Sequence, residues 1–184
     1  MKISLRCPHH PAELIYLLKL AKGCKSILEI GSRYGLTLAM MADEMGSGRV
    51  VSVDLPGVQP WGYPDSEEPL KQQMASLKDR GFDAHLFIGN STNLDIIEAV
   101  KNLGPFDLVF IDGDHHYEGV KTDWLNYGPM GKTIIFHDII RHPDGARNGP
   151  EVWRLWKEIE RSKQVVIGEN SLMGLGVIDG PGLP

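Results

Sequence analysis

Five short runs are almost unbroken by polar residues: "SILEI" (26–30), "RVVSVD" (49–54), "AHLFI" (84–88), "DLVFI" (107–111) and "TIIFH" (133–137). A strand with one face in water alternates apolar and polar side chains. Runs like these instead fit strands buried on both faces, as in a parallel sheet between two layers of helices. Helical spacing marks the intervals, over residues 36–44, 67–78, 93–103 and 116–127, and an earlier helix over 11–22 carries Leu14, Ile15, Leu17, Leu18 and Ala21. Strand and helix in strict turn predict an α/β fold, a Rossmann-like and mostly parallel sheet with helices on both faces.

The end of the chain breaks this rhythm. "GPEVWRLWKEIERS" reads as a last helix, with Pro150 at a first helical position, Glu151 in the first turn and Val152, Leu155, Trp156 and Ile159 as one stripe. "QVVIG" and "MGLGVID" follow with no helix between them. Strands joined that closely pair antiparallel, so a seven-stranded sheet ending in an antiparallel hairpin is expected. A length of 184 residues suits one domain over 1–184, with a helical segment 1–24 ahead of a core 25–184.

Several function classes are disfavoured. The formal net charge is -5 and no run of like charge is dense enough to track a phosphate backbone, which argues against nucleic acid as the main partner. No apolar run approaches the roughly 18 residues of a membrane span, and "MKISLRCPHHPAEL" lacks the apolar centre of a secretion signal, so a cytoplasmic protein without a membrane partner is expected. Cys7 and Cys24 match no paired metal motif. With His9 and His10 of "CPHH" they could supply four zinc ligands, but the spacing is irregular and a structural reading of the cysteines is preferred.

In an open parallel sheet, ligands sit beyond the carboxyl ends of the strands, so the residues after each run carry the functional signal. "EIGSRYG" follows the first: Gly31 and Gly35 allow a sharp turn into a helix whose free N–H groups face a ligand. Asp54 ends the second run about twenty residues later, where an acid accepts hydrogen bonds from ribose hydroxyls. Singly, the glycines are turn residues and Asp54 a strand end. Together they indicate an adenosine-containing cofactor. Arg33 occupies the middle position of the glycine turn, which disfavours a dinucleotide.

Through "LEIGSRYG", the acid of "VVSVDL" and the antiparallel last strands, nearly the whole chain resembles the class I S-adenosylmethionine-dependent methyltransferases. The resemblance implies S-adenosyl-L-methionine as cofactor. It also implies Glu29 and Gly31 by its methionine part, Asp54 on its ribose and Asn90 or Ser91 of "IGNST" near its adenine, with Ser32 and Gly35 of the glycine turn also among the cofactor-binding residues.

The fourth run leads into "VFIDGDHHYEG". Asp112, the first residue past the strand, faces the ligand crevice, and Tyr117, Val120, Trp124 and Tyr127 form the stripe of the next helix. Asp114 is expected to cap that helix. His115 and His116 stand at its start, where the dipole should lower an imidazole pKa and keep it neutral; no role is assigned to His116. "FHDI" brings His137 and Asp138 to the same edge. Asp112, His137 and Asp138 suit a divalent cation such as magnesium, manganese or calcium, while strand and helix capping is the even alternative for the last two.

"FIDGDHHYEGVKTDW", "IIFHDI" and "EVWRLWKEI" resemble the small metal-linked O-methyltransferases grouped with macrolide-sugar and rhamnosyl methyltransferases and cephalosporin-hydroxylase-like proteins. That resemblance implies Asp112 on both metal and cofactor, His115 as general base, and His137 with Asp138 completing the metal site. His137 stands where an acid is usual, which leaves room for a softer metal or none. The expected reaction is methyl transfer to a hydroxyl oxygen of a small molecule or sugar with divalent-metal assistance; a homo-oligomer stays open. Trp61 and Tyr63 in the proline-rich loop 55–69 are expected to cover the cofactor or pack on the body, and Arg141 and Arg147 to border the acceptor pocket or lie in solvent. A cofactor-binding module without chemistry and a nicotinamide-dependent oxidoreductase are the competing readings.

Overall fold

The computed structural model describes residues 9–57, 65–141, 150–161 and 163–180. Its elements run α1 (Pro11–Ala21), β1 (Ser26–Ile30), α2 (Leu36–Met45), β2 (Arg49–Asp54), α3 (Glu67–Asp79), β3 (Asp83–Ile88), α4 (Leu94–Lys101), β4 (Phe106–Ile111), α5 (Tyr117–Tyr127), β5 (Gly131–Phe136), α6 (Val152–Glu158), β6 (Lys163–Val166) and β7 (Leu175–Asp179). The strands form one seven-stranded sheet in the order β3-β2-β1-β4-β5-β7-β6. β1 to β5 are parallel, and β7 inserts antiparallel between β5 and β6. The expected terminal hairpin therefore forms with its second strand inside the sheet.

Successive residues of a strand point to opposite faces, and the unbroken apolar runs fill both. Ile27, Val50, Leu108 and Ile135 pack with Leu17, Leu38, Met41, Leu70 and Met74, so α1, α2 and α3 cover one face. Leu28, Val51, Val109 and Ile134 pack with Val100, Val120, Tyr127, Leu155 and Trp156, so α4, α5 and α6 cover the other. Each fully buried aliphatic side chain contributes about 1.5–3 kcal/mol.

Two sequence expectations need correction. β3 was expected to be buried on both faces, but it is the edge of the sheet, and Ile88 is exposed while Leu86 and Phe87 are half-buried. An edge strand lacks a neighbour on one side and helix cover is thinner there. α6 begins only at Val152, with Glu151 as its N-cap and Pro150 outside it.

Strand order reverses between β1 and β4, which opens the crevice at their carboxyl ends. Gly31 lies at this point for a packing reason: its φ is +89°, and a Cβ there would sit 2.2 Å from the carbonyl oxygen of Asp112. The end of β1 thus lies against the backbone of the turn after β4. Gly35, at φ +74°, is the N-cap of α2, and its absent Cβ leaves room for Leu70. Gly35→Ala should cost about 1–2 kcal/mol from the left-handed backbone. A urea titration would register it as a lower midpoint with unchanged slope.

Candidate functional site

The turn after β1 is held from beneath. The Ser52 hydroxyl donates to that of Ser32 at 2.8 Å, both buried. Arg33 adopts a left-handed φ of 52°, and its N–H donates to Asp54 Oδ2 at 2.7 Å. Asp54 therefore ends β2 against the glycine turn. Burial pushes its carboxyl up to about 6, against the pull of the Arg33 and Ser32 amides. Glu29 is fully buried; desolvation pushes it up to about 8, and Asp112 and Asp54 add to the rise while Ser32 opposes it. Glu29 thus feels both Asp54 and Asp112, and a cation entering there would favour the ionised form of the two raised acids, Glu29 and Asp54.

The loop after β3 is braced by its own side chains and by α5. Asn90 Oδ1 accepts from the amide and hydroxyl of Thr92, and the Ser91 carbonyl accepts from the Tyr127 hydroxyl at 2.6 Å. Asn90 is exposed and Ser91 half-buried.

Beyond β4 and β5 the expected residues converge. The Asp112 amide continues the ladder to the Ile30 carbonyl, and that of His137 to Ile111. His137 Nδ1 lies 3.1 Å from Asp112 Oδ1 and 3.7 Å from Asp138 Oδ2. Asp138 has a φ of 58°, uncommon outside glycine. Its carboxylate meets His115 Nδ1 at 2.8 Å, while His115 Nε2 faces Asp112 Oδ1 at 3.4 Å. The Glu151 amide donates to the His115 carbonyl at 2.7 Å and fixes the turn.

Two expectations for this turn are corrected. Asp114 does not cap α5; its Oδ1 accepts from the amide and ring of His116, forming a local turn. The first amide of α5, that of Tyr117, is met instead by Glu151 Oε2 at 3.0 Å. His115 is not held neutral by the helix start. Burial lowers its pKa, but Asp112 and Asp138 outweigh both burial and dipole and push it up to about 10. Two carboxylates within 3.5 Å exceed a half-charge helix terminus. His137 is likewise raised, against burial, by Asp112, Glu13 and Asp138, and Asp112 is held well below the carboxylate range by its histidines despite burial.

Sequence reasoning missed two members of this cluster. His9 Nδ1 lies 3.3 Å from His137 Nε2, and its Nε2 lies 3.1 Å from Thr37 Oγ1 and 3.9 Å from Asp112 Oδ2. Glu13 is fully buried: Oε1 accepts from the Gly168 and Gly174 amides, and Oε2 is 3.6 Å from His137 Nε2. The signal was present, since Glu13, Leu17 and Ala21 form the buried stripe of α1 and an acid on such a stripe needs a partner. His10 instead caps α1, and the Cys24 thiol donates to the Leu20 carbonyl. Cys7, Trp61, Tyr63 and Arg147 fall outside the described residues. Arg141 stacks on Trp153, 5.1 Å from the ring centre.

As to cation-holding capacity, donor atoms of His9, Asp112 and His137 lie within 4.8 Å of one another, as do those of Asp112, His115 and Asp138. Mixed imidazole and carboxylate donors at this spacing fit a divalent ion. Among the described residues no helix is long and apolar enough to cross a membrane.

Comparison with known proteins follows the same lines. A family model described as a methyltransferase domain matches residues 28–139, from β1 to the turn after β5. No curated protein matches the chain. Among solved structures, a protein of Staphylococcus aureus assigned as a caffeoyl-CoA O-methyltransferase superimposes with a TM-score of 0.69 at 17% identity, over 95% of this chain and 86% of that one. An O-methyltransferase from Bacillus cereus in complex with S-adenosylhomocysteine gives 0.61 at 20% identity, over 93% and 82%. The O-methyltransferase of tomaymycin synthesis from Streptomyces achromogenes, in complex with S-adenosylmethionine, gives 0.64 at 18% identity, over 97% and 82%. The chain belongs to the methyltransferase-domain family and has the fold of the class I S-adenosylmethionine-dependent methyltransferases.

Proposed function

We propose that this protein transfers the methyl group of S-adenosylmethionine to a hydroxyl oxygen of a small acceptor, a sugar hydroxyl included. The observation that carries the reading is the grouping of Glu29, Asp54 and Asp112 around Gly31 at the strand-order reversal. S-adenosylmethionine brings a sulfonium and an ammonium group to such a place, both attracted by carboxylates. A nicotinamide dinucleotide brings a diphosphate, which the same acids repel.

In this reading Gly31, Ser32 and Gly35 shape the bed of the cofactor, Glu29 and Asp112 face its cationic end, Asp54 takes its ribose, and Asn90 or Ser91 its adenine. His115, oriented by Asp138, takes the proton of the acceptor hydroxyl as it attacks the methyl carbon. Asp112, His137 and Asp138 offer donors for a divalent cation of the magnesium or manganese class, which when bound would lower the pKa of that hydroxyl.

Calorimetric titration tests the cofactor: S-adenosylhomocysteine and S-adenosylmethionine should bind and NAD should not. Asp54→Asn should weaken S-adenosylhomocysteine roughly 10–100-fold, the worth of one charge-assisted hydrogen bond. Heat from NAD alone would sink the methyltransferase reading.

A further inference from the structure

The "CPHH" segment left a histidine that the reaction above does not use. We propose that His9, Asp112 and His137 form a two-histidine, one-carboxylate site for a first-row transition ion such as zinc or iron(II), with Glu13 as the outer carboxylate that orients His137. The proposal deepens the cation reading of the same strand ends, and changes its ligand set: His9 takes the place given to Asp138, which is left to orient His115.

Three observations converge. Donor atoms of the three residues lie within 4.8 Å of one another. Bonds of roughly 2.0–2.2 Å to a tetrahedral ion put ligand atoms somewhat over 3 Å apart. His137 Nδ1 and Asp112 Oδ1, at 3.1 Å, are already close to that spacing. His9 Nε2, at 3.9 Å from Asp112 Oδ2, comes within range if its ring turns from Thr37 Oγ1. Second, both histidines are almost wholly withdrawn from water, with His9 at 7% and His137 at 4% exposure, and only the Asp112 side chain, 14% exposed, reaches the crevice. Magnesium prefers oxygen donors and keeps several waters, whereas imidazole donors in a dry pocket suit zinc, iron, nickel or copper.

Third, Glu13 Oε2 is buried and meets no hydrogen-bond donor at bonding distance among the described residues, with His137 Nε2 3.6 Å away. Its other oxygen is anchored on two backbone amides, so the carboxylate cannot swing away without losing them. A carboxylate behind the outer nitrogen of a ligating histidine fixes the tautomer that turns the inner nitrogen to the metal. With Nε2–H directed at Glu13, His137 offers Nδ1 towards Asp112. The buried acid on α1 thereby gains a reason that packing alone does not give it.

The test uses the full chain, freed of metal by chelation and dialysis, and titrated with cobalt(II) as a visible probe and with magnesium. One equivalent of cobalt should bind and give ligand-field absorption of a nitrogen-bearing site, at least 10³-fold more tightly than magnesium. Glu13→Gln should weaken cobalt roughly 10–100-fold. His9→Gln should weaken it at least as much, with circular dichroism and melting temperature showing that each variant is folded. Should His9→Gln not fold, the wild-type absorption and the His137→Gln variant decide in its place. Cobalt affinity indifferent to His9, or magnesium bound as tightly as cobalt, would overturn the proposal. S-adenosylhomocysteine binding is measured on the same samples: its absence counts against the methyltransferase reading and leaves the metal result standing.

Discussion

His115→Gln should lower methyl transfer by roughly 10²–10⁴-fold while leaving S-adenosylhomocysteine affinity within about threefold of wild type. The measurement is turnover of methyl-labelled S-adenosylmethionine with the hydroxylated acceptor that gives the highest wild-type rate, beside a calorimetric titration of the product. The argument rests on how the ring is held. Asp138 meets Nδ1 at 2.8 Å, so Nε2 is the nitrogen turned to the crevice, beside Asp112 at 3.4 Å. Glutamine keeps much of the volume and can still bond to Asp138, but it cannot accept a proton. Unchanged turnover removes His115 from the role of base, and a parallel loss of cofactor affinity makes it a binding residue instead.

The pH dependence sharpens this expectation. With both acids facing it, burial notwithstanding, His115 is pushed up to about 10, so the protein without a cation holds it protonated at neutral pH. A base must first lose that proton, so turnover of the chelated enzyme should climb with pH towards about 10. A cation engaging Asp112 withdraws part of the charge that raises the ring, and the rising limb should then move to lower pH. A limb that stays in place whether or not divalent ion is added would separate His115 from the cation site.

The sheet was legible from the sequence because both of its faces are covered. Ile27 and Leu28, or Ile134 and Ile135, go to opposite cores, which produces the unbroken apolar runs that give the strands away. β3 was read as buried because its composition matches the others; composition does not reveal an edge. Asp112, His137 and Asp138 could be placed at one end because adjacent parallel strands bring successive strand ends together. His9 and Glu13 could not, since nothing in the local pattern of α1 says where the helix docks. The protonation of His115 depends on Asp112, three residues back in the same turn, and on Asp138 after β5, and the cue of the helix start pointed the wrong way. Glu151 capping α5 from the start of α6 is another such long-range exchange.

Asp123→Asn should stabilise the protein at pH 8 and not at pH 4. Asp123 lies on α5 with no exposed surface, and among the described residues neither carboxylate oxygen meets a donor in hydrogen-bond geometry. Desolvation pushes its carboxyl up from 3.8 to about 7, offset in part by the nearby Ser91 side chain and reinforced by Asp114. For an acid raised in the folded state, the unfolded chain gives up its proton first as pH rises. Stability should therefore fall from about pH 4 to about pH 7 and level off above, by ~4 kcal/mol in all if this group acts alone. An amide of the same shape carries no charge to desolvate and removes that slope. Urea midpoints of both proteins at pH 4 and pH 8 would show it: near-equal at the lower value, with the variant ahead at the higher. A variant weaker at both values would mean that the carboxylate is satisfied by a partner it finds in solution. The location gives the slope a functional consequence, because a Cβ on Gly113 would stand 3.5 Å from Asp123 Oδ2. The charge that appears near neutrality lies beside Gly113, in the turn carrying Asp112 and His115, so the unfavourable ionisation should loosen the segment on which the proposed chemistry depends. In Asp123→Asn that segment should show slower amide exchange above pH 7 than in wild type, and equal exchange at Gly113 in the two proteins would confine the effect to the core of α5.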